Sequence, residues 1–276
     1  MHTMRLIKHR KTAIQSLRLI NGHIFTKSSC AEKVRAVGGE EEDDAERAIY
    51  ESDYFTKGTY KELGHLIPSL LLALRAKDEY SFNHSVRVAR YSAAIASDMG
   101  KDPDTVARAY VAGLLHDIGK ISIPDSILLK NGRLTDDEFS VIQNHPVESE
   151  EICRPVSVLE DILPAIRGHH ERYDGNGYPD KLKGEEIPLL ARIIAVADTF
   201  DAITSNRPYR RHMELSSVWP ILEEGAGSQW DGKIVDVFRE GFDRYRFRYG
   251  LLSRRPWGIG IEFGSGLSDG TAFAAV

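Results

Sequence analysis

The chain has 276 residues but only two cysteines, Cys30 and Cys153. Their separation fits neither a metal-binding spacing nor a disulfide framework, so we expect a reducing, cytoplasmic compartment. Long hydrophobic runs are absent too. The longest apolar stretch, Leu66 to Leu74, is broken by Pro68. It is far shorter than the roughly 20 residues of a membrane span. With no signal peptide evident, we expect no membrane span.

The sequence has no strong excess of charge: 36 Lys and Arg stand against 41 Asp and Glu. This balance argues against general nucleic-acid binding. Residues 1–37 nevertheless carry eight basic side chains and one acid, Glu32, ahead of Gly38-Gly39 and an acidic run from Glu40 to Asp44. We interpret residues 1–45 as a basic arm and acidic linker, a remnant of a regulatory module. A solvated arm is favoured over a membrane or nucleic-acid contact.

Alternating strand patterns and internal repeats are also missing, whereas apolar residues recur at three- and four-residue spacing from about residue 46. This spacing predicts an all-α fold. Helices are expected near 59–77, 82–99, 104–117, 136–145, 158–170, 187–204, 214–225 and 232–245. Thr135 and Glu138 form a capping box. We assign residues 46–250 to one catalytic domain. Residues 251–276, a glycine-interrupted tail, are expected to be flexible and poorly ordered.

The pair His116-Asp117 ends an apolar helix that should be buried, followed by Gly119 as a helix stop and by Lys120. Polar groups at a buried helix end cost several kcal/mol unless a partner satisfies them. A divalent metal ion is a suitable partner. Further donors of the right type follow along the chain: His84, His145, His169, His170 and Asp198. Imidazole with carboxylate suits iron, manganese or zinc. Five imidazoles and two acids exceed one tetrahedral site and predict two metals.

These residues lie in ordered blocks by which the chain resembles the HD-GYP family, a branch of the HD-domain metal phosphohydrolases that open cyclic di-GMP. The blocks are His84 to Val88, Leu114 to Lys120, Ile123-Pro124, His145-Pro146, His169 to Pro179 and Ala197 to Arg210. A lone His-Asp pair is weak evidence, but the blocks in this order are specific. The resemblance covers most of the predicted domain and implies an HD-domain-type helical bundle.

The resemblance also implies a ligand set. One metal is held by His84, His116, Asp117 and Asp198, and a second by Asp117, His145, His169 and His170. Asp117 thus bridges the two ions, and a hydroxide shared between them attacks phosphorus in line with the departing ribose oxygen. The implied activity is hydrolysis of cyclic di-GMP to linear pGpG, with further cleavage to GMP left open. Iron or manganese is expected, while zinc, magnesium, nickel and cobalt stay open.

Four further residues match positions near the substrate in the family. Lys120 is interpreted as catalytic and phosphate-binding, with a surface lysine as the alternative. Arg207 and Arg210 offer planar forks for phosphate, with pairing to the nearby acids as the alternative. Tyr178, in the Gly-Tyr-Pro loop, could stack on a guanine, or its loop could be a rigid turn that positions His169 and His170. The loop is also implied to contact diguanylate cyclase (GGDEF) domains.

The sequence departs from the family pattern at one position. Members with a third metal carry a glutamate four residues before the first histidine, where this chain has Tyr80. We therefore expect two metals. Asp201, one turn after Asp198, is interpreted as orienting a ligand rather than binding metal. The apolar helix around Leu66 to Leu74 could pack against a second copy in a homodimer. Two other functions stay open: hydrolysis of another cyclic dinucleotide or nucleotide phosphate, and a catalytically weak dinucleotide- or partner-binding sensor.

Overall fold

A computed structural model describes residues 60–205 and 213–248, and within these ranges the regular structure is helical. The α-helices are α1 (Tyr60–Lys77), α2 (Glu79–Asp98), α3 (Pro103–Leu115), α4 (Asp125–Leu128), α5 (Asp136–Gln143), α6 (His145–Cys153), α7 (Leu163–Arg167), α8 (Leu189–Thr204), α9 (Leu215–Glu224) and α10 (Gly232–Arg248). Three 3-10 helices span Ile118–Ser122, Ser157–Ile162 and Gly184–Glu186. No β-strand occurs in these described ranges, and the prediction of an all-α fold is confirmed.

Polar side chains fix the starts of the helices that lead into the site. Asp78 caps α2 by accepting hydrogen bonds from the backbone N–H groups of Tyr80 and Ser81. Asp102 caps α3, whose first residue is proline. The capping box predicted at Thr135 and Glu138 is present at the start of α5. Each cap satisfies backbone donors that a helix leaves unpaired at its amino end.

The core is centred on α2, which packs against both α3 and α8. The contact with α3 is backbone-close at Gly113, where an added Cβ would lie 2.6 Å from the Cα of Ala89. Glycine is therefore required there by space. Val88 and Ile95 on α2 and Val196 on α8 are completely buried. The three helices that form this core are also the ones that carry His84, His116 and Asp198.

An aromatic cluster holds α8 against the carboxyl-terminal helices. Phe200 on α8 lies 4.9 Å from Phe238 and 5.1 Å from Phe242, both on α10, measured between ring centroids. Tyr91 of α2 and Trp219 of α9 complete the cluster at 5.2 and 5.5 Å from Phe200. Burial of each of the three phenylalanine rings contributes about 1.5–3 kcal/mol. The cluster fixes α8 at a position two residues after Asp198.

Two predicted helices are wrong in their extent. The segment 158–170 is a 3-10 helix followed by α7, which ends at Arg167. Pro164 lies in the first turn of α7, where proline's missing N–H costs nothing, so the apolar spacing runs across two elements. The segment 136–145 ends at Gln143, and His145 begins α6. Pro146 lies in the first turn of α6, where proline is tolerated, so it opens the new helix.

The arm and linker 1–45 and the tail 251–276 lie outside the described ranges, as do Arg207 and Arg210. The domain limits at 46 and 250 stay predictions. Among the described helices, none combines the length and the apolar character needed to cross a membrane.

Candidate metal centre

The seven predicted ligands come from helix ends and from two long helices. His84 lies in α2 and Asp198 in α8, while His116 caps the end of α3 and is followed directly by Asp117. His145 is the first residue of α6, and His169 and His170 follow the end of α7. Five of the seven side chains are buried, and His170 and Asp198 are half-buried. The structure thus concentrates imidazoles and carboxylates in the interior, where unpaired polar groups are costly.

These side chains form two groups that share a centre. The ligand atoms of His84, His116 and Asp198 lie within 4.8 Å of one another, and so do those of His145, His169 and His170. A third set with the same spacing joins Asp117 to His116 and His169. The first two groups bring together residues that the family resemblance assigns to separate metals, while the ligand sets themselves stay predictions.

Three imidazoles have a fixed hydrogen-bonding state. The Nδ1 atom of each lies at hydrogen-bonding distance from the carbonyl oxygen three residues earlier: His116 to Gly113 at 2.8 Å, His145 to Ile142 at 2.7 Å and His169 to Ile166 at 2.6 Å. Because a carbonyl oxygen only accepts, Nδ1 carries the hydrogen in each ring. In the neutral ring, Nε2 then presents a lone pair, as a metal ligand requires.

These Nε2 lone pairs either face another lone pair or have no hydrogen-bond donor. The Nε2 atoms of His145 and His169 lie 3.1 Å apart, so two lone pairs face each other unless a cation lies between them. The Nε2 atom of His116 and Oδ1 of Asp117 are buried without a hydrogen-bond partner. Burial, followed by the charges of the neighbouring histidines, holds the pKa of His169 well below its usual value. The residues present therefore fit divalent cations.

Asp117 joins the two groups through its separate oxygens. Oδ2 lies 3.4 Å from Nε2 of His116 and 3.7 Å from Nε2 of His84, in the first group. Oδ1 lies 3.2 Å from Nε2 of His145, in the second group. Burial opposes ionisation of Asp117, but the neighbouring His116 and the ammonium of Lys120 outweigh it and hold the pKa of Asp117 well below its usual value. A carboxylate with one oxygen toward each group is the geometry of a bridging ligand.

His84 has a carboxylate at each ring nitrogen. Nε2 lies 2.9 Å from Oδ1 of Asp198, and Nδ1 lies 2.6 Å from Oδ2 of Asp201. Burial alone would lower the pKa of His84, but hydrogen bonds to Asp198 and Asp201 raise it to about 9. Asp201 lies on the side of the ring away from the other ligands. This position agrees with an orienting role for Asp201.

A close backbone contact brings His145 to Asp117. A Cβ on Gly119 would lie 2.3 Å from the carbonyl oxygen of His145 and 2.6 Å from the nitrogen of Ser149. The N–H of Gly119 donates to Oγ of Ser149 at 2.8 Å. The sequence suggested Gly119 as a helix stop, but α3 already ends at Leu115. Its glycine is needed because α6 lies directly on this turn.

The loop after His170 is held by hydrogen bonds to Glu171 and by a ring contact with His170. The buried carboxylate of Glu171 accepts hydrogen bonds from the backbone N–H groups of Asp180 at 2.6 Å and Leu182 at 3.1 Å. A Cβ on Gly177 would lie 2.3 Å from the nitrogen of Arg172. Tyr178 stacks on His170, with ring centroids 4.9 Å apart. The loop is thus a tight turn against a candidate ligand.

Lys120 lies beside Asp117 and not in open solvent. Its Nζ donates to Oδ2 of Asp117 at 2.6 Å, and a fifth of its side chain is exposed. The ammonium therefore reaches the oxygen that faces the first group. The sequence analysis did not identify three residues that support the site, which are Arg87, Glu171 and Ser149. Arg87 contacts Asp201. Each acts through partners distant in the chain, and only the buried acid next to His170 offered a signal.

Comparison with known proteins agrees with this architecture. The family model described as "HD domain" matches residues 69–234, more than half of the chain. The chain belongs to the HD-domain family. Together with its relatives, the match supports membership of the HD-GYP type. HD-domain phosphodiesterases are metal-dependent, and the two groups described above are candidate metal sites of this HD domain.

Two curated relatives and one solved structure illustrate the similarity. A cyclic di-GMP phosphodiesterase of Pseudomonas aeruginosa is 46% identical over 173 residues, covering 61% of this chain and 40% of the relative. The 3′3′-cGAMP-specific phosphodiesterase 1 of Vibrio cholerae is 37% identical over 171 residues, 62% of this chain and 40% of the relative. The crystal structure of a cyclic GMP-AMP-specific phosphodiesterase of V. cholerae is 20% identical, with a TM-score of 0.54, covering 68% of this chain and 50% of that one. The aligned HD domain spans less than half the length of these two curated relatives.

Proposed function

We propose that the chain is a metal-dependent phosphodiesterase that hydrolyses cyclic di-GMP to linear pGpG. The observation that carries this proposal is Asp117, whose two oxygens face two separate imidazole groups. Such a carboxylate suits a pair of cations held close together, the arrangement used in two-metal phosphodiester hydrolysis. Whether the linear product is cut further to GMP depends on how firmly it is retained.

The cofactors of this proposal are two divalent cations. His84, His116, Asp117 and Asp198 would hold one, and Asp117, His145, His169 and His170 the other. When bound, the ions supply a water of lowered pKa and withdraw charge from the phosphoryl oxygens. Imidazole-rich sites with a bridging carboxylate favour iron or manganese among the available ions. Tyr80, whose ring lies parallel to that of His84 at 6.0 Å, offers no carboxylate for a third.

The chain's own side chains have distinct tasks in this proposal. Lys120 orients Asp117 and directs its ammonium toward the phosphate, which is the catalytic role expected from the sequence. Tyr178 presents one face to His170 and keeps the loop in place, so its stacking on His170 favours the positioning role over stacking on a base. Arg207 and Arg210 are proposed phosphate ligands from the sequence alone.

Cyclic di-GMP is favoured as the substrate by the 46% identity to the enzyme of P. aeruginosa. A mixed cyclic dinucleotide is the second candidate, because a relative specific for 3′3′-cGAMP is 37% identical. The metal-binding groups contact phosphate and do not choose the base. A binding-only sensor is disfavoured, since it would not need seven metal-type side chains around one centre. Diguanylate cyclase domains as partners of the Gly-Tyr-Pro loop, a homodimer and a cytoplasmic location complete the proposal.

The proposal is tested on the full chain purified without oxygen or chelator. Metal analysis should give two ions per chain, and three at high occupancy would contradict the two-metal expectation. Protein loaded with manganese or iron is incubated with cyclic di-GMP, 3′3′-cGAMP and cyclic di-AMP, and products are separated by chromatography. Linear pGpG is expected to form fastest. His116→Ala and Asp117→Ala should lose turnover and metal together, whereas Asn83→Ala, at an exposed neighbour of His84, should lose neither. If no dinucleotide is turned over, the proposal that this chain is an enzyme is wrong.

A further inference from the structure

Asp201 forms a buried connection between His84 and Arg87, two residues on the same face of α2. Its side chain is completely buried, and Oδ2 accepts a hydrogen bond from Nδ1 of His84 at 2.6 Å. The other nitrogen of His84 faces Asp198, a candidate metal ligand. Asp201 therefore determines the orientation of the ring without facing the metal groups. What holds Asp201 itself then decides how firmly the ring is oriented.

Arg87 supplies that hold. It lies three residues after His84 on α2, so both side chains leave the same face of the helix. Its Nε donates to Oδ1 of Asp201 at 2.5 Å and its Nη2 to Oδ2 at 3.0 Å. The guanidinium thus grips both oxygens, and Oδ2 is shared between Arg87 and His84. Ser205 adds a longer hydrogen bond to Oδ1 at 3.2 Å.

We infer that Arg87 is a positioning residue of the candidate metal centre, acting through Asp201 on His84. The planar fork fixes the plane of the carboxylate. That plane fixes the direction of the hydrogen bond from Nδ1, and hence the direction of the lone pair on Nε2. This inference rests on the metal centre of the proposed function and deepens it.

The fork has a second consequence for the ligand set. Asp198 and Asp201 lie three residues apart on α8, so their side chains leave neighbouring positions of one helix face. Without the two hydrogen bonds from Arg87, Asp201 would be a second carboxylate that competes with Asp198 for a metal ion. With both oxygens bound to Arg87, Asp201 is kept as a hydrogen-bond acceptor. Arg87 therefore also favours Asp198 as the metal ligand.

A purely structural ion pair between α2 and α8 would behave differently. Loss of such a pair would lower the stability of metal-free protein but leave the metal affinity of the folded fraction unchanged. Loss of a positioning residue changes the affinity and geometry of the site itself. Partners that orient a metal-binding histidine typically alter affinity about 10–100-fold when removed. Metal binding, measured apart from turnover, separates the two cases.

The test titrates metal-free full chain with Mn²⁺ or Co²⁺ against a competing chelator. Arg87→Ala should weaken one of two binding events about 10–100-fold and shift the visible absorption of the Co²⁺ form. Arg87→Lys, which keeps the charge but not the fork, should lie between this variant and wild type. Arg133→Ala, at an exposed arginine between α4 and α5, is the control and should match wild type. Circular dichroism of the metal-free proteins gives the folded fraction.

Wild-type affinity and an unchanged Co²⁺ spectrum in folded Arg87→Ala would overturn the inference. If that variant does not fold, Arg87→Lys decides, and wild-type affinity there would overturn it equally. A wild-type chain that binds no metal would also end it. Two bound metals without turnover of any dinucleotide would instead refute the proposed function and leave the positioning role of Arg87 standing.

Discussion

Gly119→Ala is the sharpest single test of how the site is assembled. A Cβ at this position would lie 2.3 Å from the carbonyl oxygen of His145, where ordinary contacts begin at 3.4 Å. Both neighbours on α6 are backbone atoms, so no side-chain rotation relieves the overlap. The turn and α6 must therefore separate by about 1 Å, and the overpacking should cost about 1–3 kcal/mol.

The separation carries His145 away from Asp117. Nε2 of His145 lies 3.2 Å from Oδ1 of Asp117, and functional geometry generally tolerates displacements of only about 0.5 Å. Gly119→Ala should therefore lose metal from the group of His145, His169 and His170 and lose turnover with it. The melting temperature of the metal-free chain should fall by about 2–12 °C, the range that 1–3 kcal/mol produces in a domain of this size.

Differential scanning fluorimetry with chelator, followed by metal analysis after reloading, measures both effects. Gly232→Ala is the control, because an added Cβ there lies 3.6 Å from its nearest neighbour, and it should melt at or above the wild-type temperature. The requirement at Gly119 is spatial, since its φ is not positive. A Gly119→Ala chain that melts normally and binds two metals would refute the close contact as the device that assembles the site.

Two further substitutions separate chemistry from architecture. Lys120→Met should lower turnover about a hundredfold or more, because it removes a charge positioned at the site, while metal analysis still finds two ions; loss of metal instead would make Lys120 structural. Glu171→Gln should lower the free energy of unfolding by about 1–3 kcal/mol. Each carboxylate oxygen accepts a backbone N–H group, whereas the amide of glutamine has one oxygen and an NH₂ group that cannot accept. Denaturant unfolding measures this change against Glu185→Gln, at an exposed glutamate in the 3-10 helix Gly184–Glu186. Equal free energies of unfolding for the two variants would show that Glu171 does not anchor the loop.

The helices and the ligand types could be predicted from the sequence because both depend on local pattern. Apolar spacing predicted the long helices α2, α3 and α8, and residue chemistry selected the histidines near them. Helix α6 was missed for a physical reason. Between His145 and Cys153 the sequence is mostly polar, so no apolar period marks a helix. Its existence depends on packing against the turn at Gly119, which local pattern does not contain.

The contacts that orient the ligands could not be predicted, because they join distant parts of the chain. Arg87 and Asp201 are separated by 114 positions, and Gly119 and Ser149 by 30. An arginine next to a histidine block resembles any solvated helix residue until its partner is known. Glu171 was within reach of the sequence, since an acid directly after two histidines suggests burial. The backbone N–H groups that donate to its carboxylate belong to residues nine and eleven positions later. They could not be predicted without knowing the path of the loop.

The two groups of candidate ligands are held in place by different parts of the fold. His84, His116 and Asp198 lie on or at the end of long helices whose packing is fixed by the core. His145, His169 and His170 lie at the ends of short helices, held by the contact at Gly119 and the loop anchored by Glu171. Perturbation of Gly119 should therefore act on one group and perturbation of Arg87 on the other, with nearly additive effects on metal affinity. Only Asp117 joins both groups, so its loss should remove both metals at once.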